Sequence, residues 1–275
     1  MGVPELPEVE AERRSFVRHA AGRRVERVMV TDAAIVRNAT AAALDDALRG
    51  RTFEEPERVG KWLLCWTDGP GLLLHFGMTG ELVASADVPE RHRWDRLVVE
   101  LEDGSEVRYR NMRKLGWVWL ALDRADAAAV LGPLGPDALA VGRPEVLERL
   151  RRRRGGIKAA LLDQTFVAGI GNLLADEILW RAKLHPRRTI GSLDDEERAR
   201  LVSAMRSVVR RTVRPVGGWW PRGWLNRVRG LPGAACPRCR TPLERATVAG
   251  RTTWWCPSCQ PAAPPDARRV GGGPG

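Results

Sequence analysis

The spacing of apolar positions changes character along the chain, and each change marks a different kind of element. Between Pro4 and Ala21, Val9, Phe16, Val17 and Ala20 form an apolar stripe behind Pro7 and three acids, Glu5, Glu8 and Glu10. The early proline and acids, with Gly22 at the end, predict a helix. From Val25 to about Leu120 the pattern turns to short apolar runs, among them Leu72–His75, Leu97–Leu101 and Trp117–Leu120. Asp103-Gly104 lies between two alternating segments, and Asp68-Gly69 repeats the signal. Both predict hairpins in a mainly antiparallel sheet, folded as a sandwich. Leu131–Pro144, rich in glycine and proline, reads as a boundary. Beyond it a helical period runs through Val146–Arg153, Ile157–Leu162, Leu173–Ala182 and Asp194–Arg214.

The predicted chain is therefore α+β and multidomain. It has an N-terminal helix with an antiparallel β-sandwich over residues 1–130, a helical unit over 131–229, a small cysteine-bearing unit over 230–260 and a tail, 261–275, whose proline and glycine content predicts disorder. A length of 275 residues with 44% hydrophobic content allows two or three compact units with cores of their own. Internal repeats are absent. Lys and Arg number 45 against 34 Asp and Glu, a formal +11, which favours a polyanionic partner, nucleic acid first. Only four of those cations are lysine, a bias that a GC-rich genome produces as readily as phosphate binding does. With neither a signal-peptide pattern nor an apolar run of membrane-spanning length, a cytosolic location is expected, with no membrane partner.

Four of the five cysteines sit in Cys236-x-x-Cys239 and Cys256-x-x-Cys259, separated by sixteen residues. In a reducing compartment that spacing points to a four-cysteine zinc ribbon rather than disulfides. Each pair makes a knuckle presenting two thiolates, and a hairpin between them brings the knuckles around one tetrahedral ion. Four thiolates leave no open position, so the zinc is expected to be structural. A unit of about thirty residues cannot build its own core, and the metal supplies its folding free energy, about 10–16 kcal/mol in zinc-finger peptides. Arg251 lies in that hairpin, placed either to fork onto a phosphate or to stand solvated on the surface.

Four separated segments together resemble the formamidopyrimidine-DNA glycosylase and endonuclease VIII family of base-excision enzymes. They are Pro4-Glu5-Leu6-Pro7-Glu8-Val9-Glu10, His75-Phe76-Gly77-Met78-Thr79-Gly80, the stretch from Ile157 through Asn172 to Glu177, and the terminal zinc hairpin. They stand in the family's order and spacing and cover nearly the whole chain. The resemblance implies a bifunctional DNA glycosylase and AP lyase, a monomer acting on damaged double-stranded DNA. It also implies a helix-two-turn-helix domain before the finger and one structural zinc. By resemblance, Pro4 is the nucleophile whose secondary amine attacks C1′, expels the base and leaves an iminium. An α-amino group titrates at about 7.7–8.0 against about 10.4 for lysine, so a neutral fraction exists near physiological pH. Glu5 is implied as acid and base of the elimination steps and Glu8 as its support, roles that coexist with a structural use of acids at a helix N-terminus. Lys61, in Val59-Gly60-Lys61-Trp62, is implied as a phosphate contact near the lesion.

The same resemblance makes Gly169-Ile170-Gly171-Asn172 a turn whose amides and helix N-terminus meet phosphate, with Lys158, Asn172 and Arg251 as DNA-binding residues. Taken alone, Asn172 also reads as an N-cap. A flipped base leaves a hole in the stack. The resemblance places Arg113 opposite the orphaned base and Met78 and Leu115 as wedges, Leu115 standing where phenylalanine is frequent. Taken alone, Met78 also reads as core.

Two features depart from the family pattern. Met1-Gly2-Val3 precedes the proline, and the nitrogen of a Val3–Pro4 amide has no basic lone pair. Translation from the Val3 codon, followed by methionine removal, is the expected route to a free Pro4 amine, the alternatives being loss of catalysis and use of the Gly2 amine. Second, Val216-Gly217-Gly218-Trp219-Trp220-Pro221-Arg222-Gly223-Trp224 is short for the loop that caps flipped 8-oxoguanine. That turns the expectation toward abasic sites and ring-opened or oxidised pyrimidines, and the tryptophans are expected to pack rather than stack on bases. Two other classes stay open: a lesion- or structure-specific DNA-binding protein of the same fold without catalysis, and a zinc-ribbon adaptor, which has no use for the Pro-Glu start.

Overall fold

A computed structural model describes residues 4–214 and 220–262. Met1–Val3, the first four residues of the short Val216–Trp224 stretch and most of the expected tail lie outside the described residues. The described chain divides into two compact units, residues 4–137 and Ala138–Arg214 with 220–262.

The first unit opens with α1 (Leu6–His19), preceded by Glu5 in extended conformation and carrying Pro7 in its first turn, where no amide is needed for the helix. Eight strands form two antiparallel sheets. One runs β1 (Val25–Val30), β6 (Asp95–Leu101), β7 (Glu106–Asn111), β5 (Gly80–Ala84); the other runs β2 (Glu57–Val59), β3 (Trp62–Thr67), β4 (Gly69–His75), β8 (Trp117–Ala121). Both Asp-Gly pairs turn hairpins, β3 to β4 and β6 to β7. The main core joins Val28, Val99 and Tyr109 of one sheet to Leu63, Leu72 and Val118 of the other, with Val9 and Phe16 of α1. Strands β3 and β4 bury their second face as well, where Leu64, Trp66 and Leu73 meet Ala127 of α3 (Arg124–Leu131). Two covered faces explain why Leu72-Leu73-Leu74 is continuous rather than alternating.

Two helices depart from the expected pattern. Helix α2 (Ala41–Leu48) interrupts the stretch read as sheet, and α3 ends where the boundary was expected to begin. Their causes are local. Thr40 Oγ1 accepts from the Ala43 amide at 3.1 Å, and Asp123 Oδ1 accepts from Ala125 and Asp126 at 2.8 and 2.9 Å. Each is an N-cap ahead of an alanine-rich run. Leu44 and Leu48, one turn apart, anchor α2 to the core.

The second unit holds α4 (Arg143–Arg152), α5 (Ile157–Leu162), α6 (Asn172–Ala182), α7 (Asp195–Thr212) and a hairpin of β9 (Glu244–Val248) and β10 (Arg251–Trp255). Helix α6 is buried from Leu174 through Trp180. Helix α7 starts at a capping box in which Asp194 accepts from the Glu197 amide at 2.7 Å and Glu197 from the Asp194 amide at 3.1 Å. The β9–β10 hairpin turns through Ala249 and Gly250, both at positive φ (51° and 69°), as a two-residue turn of this twist demands. Among the described residues no helix is long and apolar enough to cross a membrane.

Candidate active site and nucleic-acid interface

In the first unit the acids behind Pro4 cluster at the start of α1. Glu5 is buried, and its amide donates to Glu8 Oε2 at 2.9 Å. Burial, with the Glu5 charge beside it, pushes the Glu8 carboxyl up to about 7 against the opposing pull of the Glu5 amide and Lys61. The Lys61 charge also reaches His75, which burial first and Lys61 second push down to about 4. Pro4, Glu5, Glu8, Lys61 and His75 thus share one neighbourhood. It contains a carboxyl that exchanges protons near neutrality and an imidazole that stays neutral.

Lys61 follows Gly60, whose positive φ of 60° turns the chain from β2 into β3. That turn is clamped from afar. Asp137 accepts from the Gly60 amide at 2.8 Å and from Arg58 Nη2 at 2.9 Å, while Arg58 Nε donates to Glu10 Oε2 at 3.2 Å. Glu10, Arg58 and Asp137 therefore tie α1 to the turn presenting Lys61, a role the sequence reading did not assign. Also unassigned was Glu12, one turn beyond Glu8. It accepts from the Leu82 amide at 3.0 Å, and burial, then the charges of Glu81 and Glu8, push its carboxyl up to about 8.

Met78 and the pair Arg113 and Leu115 come from two loops that touch. Gly77 has φ +61°, and a Cβ there would lie 2.1 Å from the Leu115 carbonyl oxygen, so only glycine lets the loops meet. Thr79 Oγ1 donates to Asn111 Oδ1 at 3.2 Å and accepts from the Arg113 amide at 3.1 Å. Asn111 Nδ2 donates to the Tyr109 hydroxyl, which donates to the His75 carbonyl, each at 2.9 Å. This chain fixes both loops from β4 and β7. On the pair, Arg113 is exposed, Met78 is half-buried and outside the core, and Met112 and Leu115 leave 44% and 42% of their surface in water.

In the second unit, Gly169-Ile170-Gly171 leads into α6, whose N-cap is Gly171; Asn172 is the first helical residue and not the cap. Gln164 stitches this turn, accepting from Gly169 N and donating to the Ile170 carbonyl, both at 2.9 Å. Asn172 Nδ2 donates to the Thr252 carbonyl at 2.9 Å, which brings the turn to the finger hairpin one residue from exposed Arg251. Lys158 behaves differently from the expectation. It has no exposed surface, and its Nζ donates to Asp176 Oδ1 and Thr253 Oγ1, each at 2.5 Å. A direct contact with DNA does not fit this burial; Lys158 instead braces α5, α6 and β10 together.

The ligand atoms of Cys236, Cys239, Cys256 and Cys259 all lie within 4.8 Å of one another, with Sγ pairs at 3.4, 3.5 and 3.9 Å. Tetrahedral zinc with bonds of about 2.3 Å needs sulfurs about 3.8 Å apart, so the four thiolates fit one ion and fill its coordination. Trp180 Nε1 donates to Cys236 Sγ at 3.4 Å, and Gln260 Nε2 donates to the Leu184 carbonyl at 2.8 Å, which packs the finger onto α6 and its exit. Trp224 is buried with the Arg181 guanidinium 4.1 Å above its ring, the packing use expected for it; Trp219 lies outside the described residues.

Three family models match the chain. The formamidopyrimidine-DNA glycosylase N-terminal domain matches residues 3–118, the corresponding H2TH domain residues 134–219, and the zinc finger found in FPG and IleRS residues 233–262. A formamidopyrimidine-DNA glycosylase of Geobacter sulfurreducens is 37% identical over 273 residues, covering 94% of this chain and 100% of that one. One of Symbiobacterium thermophilum is 38% identical over 274 residues, covering 94% and 90%. Among solved structures, the Lactococcus lactis Fpg in complex with abasic-site DNA superposes with a TM-score of 0.85 at 28% identity, covering 94% of this chain and 100% of that one. A MutM in complex with carbocyclic 8-oxo-G DNA gives the same values.

Proposed function

Because the chain belongs to the formamidopyrimidine-DNA glycosylase family, and is thereby a base-excision DNA glycosylase and AP lyase with one structural zinc, we propose that Pro4 is its nucleophile and Glu5 its acid and base. The observation that carries this assignment is the acid pair at the start of α1, buried Glu5 and half-buried Glu8, with Lys61 charged beside it. In the proposed sequence the Pro4 nitrogen bonds to C1′ as the C1′–base bond breaks, and Glu5 supplies a proton to the opening sugar. The Glu5 carboxylate, having given up its proton, then takes the C2′ proton as the C3′–O bond to the 3′ phosphate breaks, and hydrolysis of the iminium frees Pro4. Glu8 holds the Glu5 amide, and its own raised carboxyl buffers protons beside the site. Lys61 binds the phosphate near the lesion.

The nucleophile requires a free prolyl amine, so the proposed active form begins at Pro4. On the DNA, we assign Arg113 to the orphaned base, Met78 and Leu115 to the gap, and Asn172 and Arg251 to phosphate. The exposed apolar tip beside an exposed arginine supports the gap-filling set. The protein acts as a monomer on chromosomal DNA in the cytoplasm. For lesions, the short stretch before Trp224 supports cutting abasic sites and oxidised pyrimidines at least as well as 8-oxoguanine.

The test is borohydride trapping on abasic duplex with protein beginning at Pro4, alongside Glu5→Gln and a form retaining Met1. The first should trap covalently and the last should not. Equal trapping by the Met1 form would remove Pro4 from the role. A binding protein without catalysis, the other reading, is not favoured, since the named relatives are enzymes.

A further inference from the structure

Arginines of the second unit sort by whether the protein itself supplies their counter-charge. Arg149 pairs with Glu145, Arg152 with Glu148, Arg188 with Glu197 and Arg200 with Glu196. Five others, Arg143, Arg206, Arg210, Arg211 and Arg214, have no carboxylate partner among the described residues, and all five line one groove of ≈ 470 Å³. Steps of three and four residues place Ser203, Arg206, Ser207 and Arg210 on one face of α7, which Arg214 continues beyond its end. Of the two remaining lining residues, Arg211 lies on α7 beside Arg210, and Arg143 is the first residue of α4. Arg206 is held in place by a hydrogen bond from Nη1 to the Val141 carbonyl.

Helix electrostatics account for part of this only. Cations at the end of α7 offset its dipole, which covers Arg210 and Arg211. Arg206 sits more than a turn earlier, and Arg143 stands at the positive end of α4, where a cation is disfavoured. Gathering five guanidiniums is repulsive unless an anion joins them. The lining consists of arginines and serines alone, so it offers no apolar pocket to anchor a protein segment. It does offer forked donors and hydroxyls of the kind that meet phosphate.

We propose that this α4–α7 groove is a second nucleic-acid contact, binding the phosphodiester backbone through Arg143, Arg206, Arg210, Arg211 and Arg214. It lies outside the residues assigned above to the lesion and does not depend on the Pro4 chemistry.

The test compares the protein beginning at Pro4 with its Arg143→Gln/Arg210→Gln/Arg211→Gln variant on a long undamaged duplex, measuring how affinity falls with salt. Three lost contacts should flatten the slope of log K against log salt by about 2.7. Single-turnover incision at saturating enzyme should be unchanged. The exposed single change Arg143→Gln, which spares α7, should flatten it by about 0.9, and an Arg→Lys triple should keep the slope. An unchanged slope in either folded Gln variant overturns the proposal. Groove-dependent binding of polyglutamate with an unchanged DNA slope overturns it in favour of an acidic protein partner. Failure of incision in every form, with the slope changes present, would refute the catalytic assignment and leave the groove standing.

Discussion

Lys158→Met separates two uses of one lysine. In the wild type the Lys158–Asp176 pair is completely buried, with both side chains at 0% exposure. Removing one member of such a pair strands the other and costs about 3–5 kcal/mol. Asp176 keeps Arg229 Nη1 and the Trp254 amide, each at 3.1 Å on Oδ2, so the low end applies, about 3 kcal/mol. For a domain of about 150–250 residues that lowers the melting temperature by roughly 6–12 °C, and the smaller second unit should lose at least as much. The deficit also depends on pH with a definite sign. Burial holds the Asp176 carboxyl above its ordinary range against the pull of Lys158 and Arg229, and losing Lys158 raises it further. A carboxyl raised in the folded state favours folding below its unfolded pKa, a contribution lost as pH rises through the folded value. The variant should therefore trail the wild type by less at about pH 5 than at about pH 8. The assays are thermal melting with zinc content, and the salt slope of DNA binding below the melt. A brace lowers the melt and leaves the slope; a direct phosphate contact lowers the slope by about 0.9 and leaves the melt. Observation of the second pattern would refute the burial argument.

Zinc should be present at one ion per chain, and chelation or Cys239→Ser should alter the emission of Trp180, whose indole donates to Cys236 Sγ; unchanged emission on metal loss would contradict that packing. Arg251→Ala should weaken binding to every duplex and flatten the salt slope by about 0.9, and an unchanged slope would take Arg251 out of the phosphate-binding set. For Glu12 the raised carboxyl, about 8, gives stability that is present below its unfolded value and lost as pH rises through the folded one. Glu12→Gln keeps an acceptor for the Leu82 amide, so its melting advantage over the wild type should widen from about pH 5 to about pH 8 and then level; a constant offset would show that Glu12 does not titrate in the fold.

Elements whose cause is local were legible in the sequence. Both Asp-Gly hairpins and the bounds of α5, Ile157–Leu162, follow from short-range turn chemistry and period. Helices α2 and α3 carried equally local signals, Thr40 and Asp123 as caps. They went unread because each has only eight residues and little periodicity to set against the surrounding sheet pattern. The finger's dependence on the rest of the unit was hidden for a different reason. Cysteine spacing predicts the metal, but nothing in it points to Trp180 or Leu184, to which Cys236 and Gln260 are joined.

At the candidate site the same division holds by distance along the chain. Pro4, Glu5 and Glu8, the proposed catalytic set, were legible through the family resemblance, because the motif that carries it lies within one contiguous stretch at the start of α1. The residues that position Lys61 were not, since Gly60 and Asp137 are 77 positions apart and neither carries a recognisable motif. Lys158 misleads for the converse reason: a lysine is read as an exposed cation, and only the arrival of Asp176, 18 positions on, and Thr253, 95 positions on, turns it into a buried brace. A formal charge of +11 has the same defect. Arg58 and Arg210 add equally to it, yet Arg58 is spent on Asp137 and Glu10 inside the fold, and no carboxylate among the described residues meets Arg210. Attraction for a polyanion scales with the charge the protein leaves uncompensated at its surface. The interface is therefore mapped by subtracting the internal ion pairs from the cations, an operation that needs the three-dimensional partners and that directs attention to the α4–α7 groove.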